Sequence, residues 1–295
     1  FFSIPLAFYG HGVWALVTGT LVGSLLNMII LWIKSPWRPS LAFDHVIARQ
    51  LFRFGFWVVL EGLGVWLLMW GDQLLVGKFL SIEELGIYRI GWSISALLFG
   101  LLLNPFLPVL YPTFSRLQDD MEGLKVMFHK ANRIIIAIAC PVGVGLLLTA
   151  PEIVQALFGN KWEGLGFVLA ALGLVTGIGW LVGANAELYR AIGRPDVNTK
   201  LLAIAVFFYI PGFVISIQYG LQVFIIVRVI LAAMSIFLHI YFCTRLLKFP
   251  VVYLWLDGKH AFKACMFMVF AIYSLKIATY YLNIPIPDYL RAILL

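Results

Sequence analysis

The sequence predicts an all-α fold, a polytopic transmembrane helix bundle, on three observations: its composition, the length of its apolar runs, and the charge of the loops between them. Apolar residues make up 62% of the 295 positions and charged residues only 12%. Mean hydropathy is +0.98, whereas soluble domains are about half apolar and a quarter charged. A soluble core of this length could not hide that much apolar side chain.

The spans follow from length. Crossing the roughly 30 Å hydrocarbon layer takes about 20 apolar residues in a helix. Such runs are expected at 12–33, 54–76, 86–110, 133–150, 164–188, 201–218, 221–244 and 261–281, about eight complete spans. Residues 1–9 resemble the tail of a further span, and Pro285 to Leu295 the first turns of another, so partial spans are expected at both ends. Continuous runs of this kind exclude the alternating pattern of barrel strands.

Loop charge tests that count. Lys34, Arg38, Arg49 and Arg53 fall in one connection, and Lys78 stands alone in the next. Arg116, Lys125, Lys130 and Arg133 follow, then Lys161 alone, then Arg190, Arg194 and Lys200. Gln218 to Gly220 carry none, and Arg245, Lys248, Lys259 and Lys263 come last. Every second loop is basic, which assigns the basic loops to the cytoplasm and residues 71–85, 151–163 and 218–221 to the far side. The net charge of +7 is therefore spread between apolar runs and not gathered in one patch, a topology signal that argues against nucleic acid as a partner. Residues 35–53 mix charge with Leu41, Phe43, Val46, Ile47 and Leu51, the pattern of an amphipathic helix at the cytoplasmic interface; a linker between two halves of a transporter is the sharper alternative.

Cys140, Cys243 and Cys265 show no paired or metal-ligand spacing and read as small core residues. No second His or carboxylate at ligand spacing accompanies His239, so no metal site and no cofactor is expected.

Polar residues inside spans mark candidate sites, because charge in hydrocarbon is costly. Glu61 and Asp72 are 11 residues apart, which puts them on one stripe of a helix. Arg89, Ser93, Ala96, Gly100 and Asn104 share a face by the same arithmetic, as do Gly173, Thr176, Trp180, Gly183 and Glu187, and Arg228, Ser235 and His239. Four such stripes could line a solvated interior. Small residues also serve close helix packing, Asp72 and Arg89 could snorkel at the outer interface, and Glu187 and Arg190 could anchor the cytoplasmic boundary. Glu61 and Arg228 are deeper, which favours function or an interhelical pair. Pro105, Pro108, Pro141 and Pro211 fall within or beside spans and should bend them.

Five local patterns in order resemble one family: GVWALVTG to SPWRPSL (Gly12 to Leu41), RFGFWVVLEGLGVWLLMWGDQLLVGKFLSIEELGIYRI (Arg53 to Ile90), LYPTFSRLQDD (Leu110 to Asp120), APEIVQALFGNKW (Ala150 to Trp162) and AIGRPDVNTK (Ala191 to Lys200). They are similar to the polysaccharide-exporting branch of the multidrug/oligosaccharidyl-lipid/polysaccharide flippase superfamily, the group of O-antigen and colanic-acid type translocases. The resemblance covers about two thirds of the chain and implies a two-lobe transporter working by alternating access. Residues 1–33 would be the last helices of the N-terminal lobe, truncated. Residues 34–53 would be a cytoplasmic amphipathic linker, 54–245 a six-helix C-terminal lobe, and 246–295 extra C-terminal helices, also truncated.

The resemblance further implies a non-enzymatic protein of the bacterial inner membrane, serving lipopolysaccharide or exopolysaccharide synthesis. Its substrate would be an undecaprenyl-diphosphate-linked oligosaccharide, with membrane lipids and the polysaccharide polymerase and export machinery as further partners. For such a substrate Arg89 and Arg228 are the head-group candidates, since Arg binds phosphate oxygens bidentately. Glu61 and Asp72 are the ion-coupling candidates, and Ser93, Asn104, Thr176, Trp180, Glu187, Ser235 and His239 the lumen-lining ones. A small-molecule exporter of the same fold and a membrane glycan polymerase or ligase are the alternatives. The short outer loops, with Lys78, Glu83, Glu84, Glu152, Lys161 and Glu163, leave the enzyme little room for an active site.

Overall fold

The computed structural model describes residues 4–5, 13–36, 44–162 and 164–281. The ends of the chain expected to carry partial spans lie largely outside these residues. The described residues are helical throughout, joined by turns: α1 (Val13–Lys34), α2 (His45–Phe79), α3 (Ile82–Leu103), α4 (Leu107–Arg116), α5 (Met121–Phe158), α6 (Leu165–Gly179), α7 (Asn185–Ala191), α8 (Pro195–Ser216), α9 (Leu221–Leu247) and α10 (Val252–Tyr281). Residues 1–56 and 57–295 form two compact units. In the first, α1 exposes an apolar surface that includes Leu21, Met28 and Ile33. In the second, α5 packs against α6 and α10, α3 against α6, and α9 against α6 and α8.

Seven helical segments among the described residues are long and apolar enough to cross a membrane: 17–34, 82–103, 121–158, 165–191, 195–219, 221–247 and 252–278. They fall on the expected spans except 54–76, where α2 nevertheless runs unbroken from His45 to Phe79. Large apolar side chains point outward, Phe237, Phe267 and Phe270 being more than 70% exposed. A surface of that kind requires lipid. The chain is a multi-pass membrane protein.

Caps and breakers set the boundaries. Ser81 opens α3 with a capping box: its Oγ accepts from Glu84 N–H at 3.1 Å, and its own N–H donates to Glu84 Oε2 at 3.2 Å. The expected span 86–110 is broken: Asn104 keeps helical backbone angles and donates to Gly100 O, but neither Pro105 nor Pro108 has an N–H to carry the helical hydrogen bonding on, so α3 stops at Leu103 and α4 restarts at Leu107. Asp120 caps α5, whose 38 residues run well past the expected 133–150 at both ends and absorb Pro141 and Pro151. The span 164–188 divides into α6, a 3₁₀ turn at Trp180–Val182, and α7.

The core of the second unit is aromatic and aliphatic: Tyr88, Phe99, Phe114, Phe128, Leu165, Leu169 and Phe224 are buried almost completely. At the α5–α6 crossing the backbones nearly touch. A Cβ on Gly177 would lie 2.7 Å from Gly143 Cα and 2.9 Å from Ala139 O, so glycine is required there by space.

Candidate functional site

Three helix ends meet at one polar cluster. Asp72 lies seven residues before the end of α2, Tyr88 six after the start of α3, and Arg228 seven after the start of α9. At 1.5 Å per residue all three sit about 10 Å inside the bundle, at equal depth. Asp72 and Tyr88 are fully buried, and the Arg228 side chain is 16% exposed. Tyr88 Oη donates to Asp72 Oδ2 at 2.6 Å, Arg228 Nη1 donates to Tyr88 Oη at 2.5 Å, and Arg228 is ion-paired with the same Asp72 carboxylate. The other carboxylate oxygen accepts the Gln73 N–H at 2.6 Å. Burying the carboxylate without these partners would cost several kcal/mol. The guanidinium also lies over the Tyr88 ring, 5.8 Å from its centroid. Arg228 therefore already holds an anionic partner, and Asp72 is sealed from solvent.

Arg89 is placed differently. It is exposed, forms no hydrogen bond or ion pair among the described residues, and borders a cavity of about 450 Å³ with Trp66, Trp70, Gln73, Leu74 and Leu85. A neighbouring groove of about 720 Å³ follows the same helix past Trp92, Ser93, Ala96, Gly100 and Asn104. The expected face of α3 is thus a groove whose ends are polar.

The remaining candidates do not join this cluster. Thr176 Oγ1 donates back to Leu172 O at 2.7 Å, an ordinary use of a threonine within a helix. Trp180 lies at the α6–α7 break, and Glu187 pairs with Arg190 at 3.0 Å. Ser235 is half-buried. His239 stacks on Tyr189 with centroids 6.5 Å apart, its carbonyl accepts from Asn185 and Tyr189, and its Nδ1 has no partner among the described residues. The Glu61 side chain lies outside the described residues.

Ion pairs at two places, unforeseen in the sequence, fasten α10 to α5. At one end His129 Nδ1 lies 2.5 Å from Asp257 Oδ2, with Arg133 Nη2 3.4 Å from the other oxygen. At the opposite end Lys276 Nζ lies 2.6 Å from Glu152 Oε1 and donates to Leu148 O at 2.8 Å. The first joins two loops that charge assigns to the cytoplasm, and the second lies on the far side. Asp72–Arg228 likewise joins the last turns of α2 to the first turns of α9, so the contacts pair helix ends that loop charge also groups on one side. Among the described residues no group of three or more His, Cys, Asp or Glu is arranged to hold a metal ion.

The comparisons agree with this architecture. The chain is 28% identical to the lipopolysaccharide biosynthesis protein WzxC of Escherichia coli (strain K12) over 242 residues, 77% of the chain and 48% of that protein. It is 26% identical to the teichuronic acid biosynthesis protein TuaB of Bacillus subtilis (strain 168), over 66% of the chain and 38% of that protein. It is 23% identical to the succinoglycan biosynthesis transport protein ExoT of Rhizobium meliloti (strain 1021), over 60% of the chain and 36% of that protein. The chain spans about half the length of these curated relatives or less. No solved structure matches it. The profile of one family, described as polysaccharide biosynthesis protein, matches residues 1–165, more than half of the chain. A multi-pass helical bundle with polar groups held inside its spans thus belongs to the polysaccharide biosynthesis protein family.

Proposed function

We propose that the chain works as part of a transporter that moves an undecaprenyl-diphosphate-linked oligosaccharide from the cytoplasmic to the periplasmic leaflet of the bacterial inner membrane by alternating access, without covalent chemistry. The observation that carries this reading is the groove along α3, from Arg89 past Ser93 and Gly100 to Asn104. A cation with no partner among the described residues, continuing along one face into Ser93, Gly100 and Asn104, suits a polar group passing along the helix better than snorkelling or close packing alone, since each of those accounts for only part of the row. The names of the relatives, among them a succinoglycan transport protein and a probable flippase of Haloferax volcanii, support the same class of cargo.

Arg89, with no partner among the described residues, is the head-group contact for the diphosphate. Arg228 reaches such a group only by leaving Asp72, which makes the Asp72–Arg228 pair the coupling element: cargo or a proton on Asp72 would each release it. Glu61 is the second ion-coupling candidate. Ser93 and Asn104 line the path. The polysaccharide polymerase and export machinery are the partners that would take the product.

The test is deletion and complementation of the full-length gene. Loss of surface polysaccharide with precursor accumulating on the cytoplasmic leaflet is the expected result, restored by the wild-type gene but poorly by Arg89→Gln or Glu61→Gln. Unchanged polysaccharide, with altered drug tolerance instead, would reassign the protein to small-molecule export.

A further inference from the structure

The cavity beside Arg89 sets indoles, an amide and a guanidinium beside Leu74 and Leu85, and lipid does not satisfy the first three together. Trp66 and Trp70 line it from α2, and Trp70 faces Trp92 of α3 with ring centroids 6.0 Å apart and planes tilted by 42°. Gln73, only 8% exposed, borders the same cavity, and its amide Nε2 has no hydrogen-bond partner among the described residues. A buried amide left unpaired costs about 1–3 kcal/mol. Arg89 adds a cation with no counter-charge among the described residues.

Tryptophan at a membrane interface commonly anchors a helix in the headgroup layer. That role leaves the unmatched Gln73 amide at the cavity wall unexplained, beside the indoles and the guanidinium. Acyl chains offer no hydrogen bonds to the amide or the guanidinium. A sugar ring offers all that is needed. Its polarised C–H face lies against the negative face of an indole, its hydroxyls are both donors and acceptors for an amide, and an acidic sugar brings a carboxylate that a guanidinium grips with two parallel bonds. The volume of about 450 Å³ falls within the range of small-ligand sites, about 300–1,000 Å³.

We propose that Trp66, Trp70, Trp92, Gln73 and Arg89 form a saccharide subsite for an anionic sugar residue, near the far-side end of α2 and α3. The proposal rests on the transport reading and deepens it by assigning the glycan, in addition to the diphosphate, its own contacts. The indoles are the platform, Gln73 reads hydroxyls, and Arg89 selects acidic residues over neutral ones.

The experiment uses the full chain in lipid nanodiscs and saturation-transfer difference NMR, with trigalacturonate and maltotriose as probes. Saturable transfer to ring C–H protons of trigalacturonate is expected, with weaker transfer to maltotriose. Trp70→Leu and Trp92→Leu should each reduce it about tenfold, while Trp70→Phe, which keeps an aromatic face and the fold, retains most of it. Gln73→Leu should weaken both probes, and Arg89→Gln should abolish the preference for trigalacturonate. Absence of saturable transfer, or transfer unchanged in the Trp70→Leu, Trp92→Leu double variant, overturns the subsite. Complementation by the full-length gene separates this from the transport reading: wild-type export with no saccharide signal removes the subsite alone. A saccharide signal from a protein that restores no export removes the transport reading alone.

Discussion

Asp72 of α2 and Arg228 of α9 form an ion pair inside the bundle, sealed by the Tyr88 hydroxyl between them. Because both charges are withdrawn from solvent, removing one strands the other. Asp72→Asn or Arg228→Met alone should destabilise the protein by about 3–5 kcal/mol, and the double variant by much less than the sum. The measurement is thermal unfolding in detergent with a thiol-reactive dye, which reports exposure of the buried Cys243 and Cys265. Additive losses would show that the two charges do not depend on each other.

Tyr88→Phe tests the middle of the cluster. It removes one hydroxyl that both donates and accepts but leaves the ion pair, so the cost should be smaller, about 1–2 kcal/mol. A loss as large as that of Asp72→Asn would mean that the hydroxyl, and not Arg228, carries the carboxylate.

At the α5–α6 crossing even one methyl group has nowhere to go. Gly177→Ala should cost about 1–3 kcal/mol, because its Cβ meets main-chain atoms of Gly143 and Ala139 that cannot turn aside. Gly179→Ala, two residues on and with open space around it, should be nearly neutral or slightly stabilising in the same unfolding assay.

The fastening of α10 predicts asymmetry between its ends. Lys276→Met leaves Glu152, whose side chain is 20% exposed, without its cation and should lower the unfolding temperature. Adding Glu152→Gln should recover part of the loss. Asp257→Asn should weaken the other end, where Arg133 is 58% exposed and can turn to water, by about 1–2 kcal/mol.

The spans were legible in the sequence because they depend on a quantity summed over many residues, apolar length. Errors at single positions average out. Breaks were harder to read: Pro105 ends α3 at Leu103, whereas Pro141 and Pro151 sit within an α5 that continues past both. The difference lies in packing, since α5 is held on both sides by α6 and α10. For the polar residues, helical phase put Asp72 on a stripe with Glu61 and Arg228 with Ser235 and His239. The contact that forms joins Asp72 to Arg228 instead. Phase orders residues around one helix, whereas pairing between helices depends on depth, and equal counts from the outer helix ends would have matched these two. His129 and Asp257 were missed for a related reason, since both stand in stretches that also serve as basic loops, where charge draws no notice.

The touching backbones at Gly143 and Gly177 restrict how this molecule can change shape. Two helices in such contact cannot slip lengthwise, because a shift of one residue would drive a side chain into the opposing main chain. They can only travel together, as a keel. Any rearrangement must then be sought where elements grip through side chains that can exchange partners. The end of α2, whose polar tie to its neighbours is the Asp72 carboxylate and whose other contacts, such as Trp70 on Trp92, are between side chains, is the place where that exchange can happen.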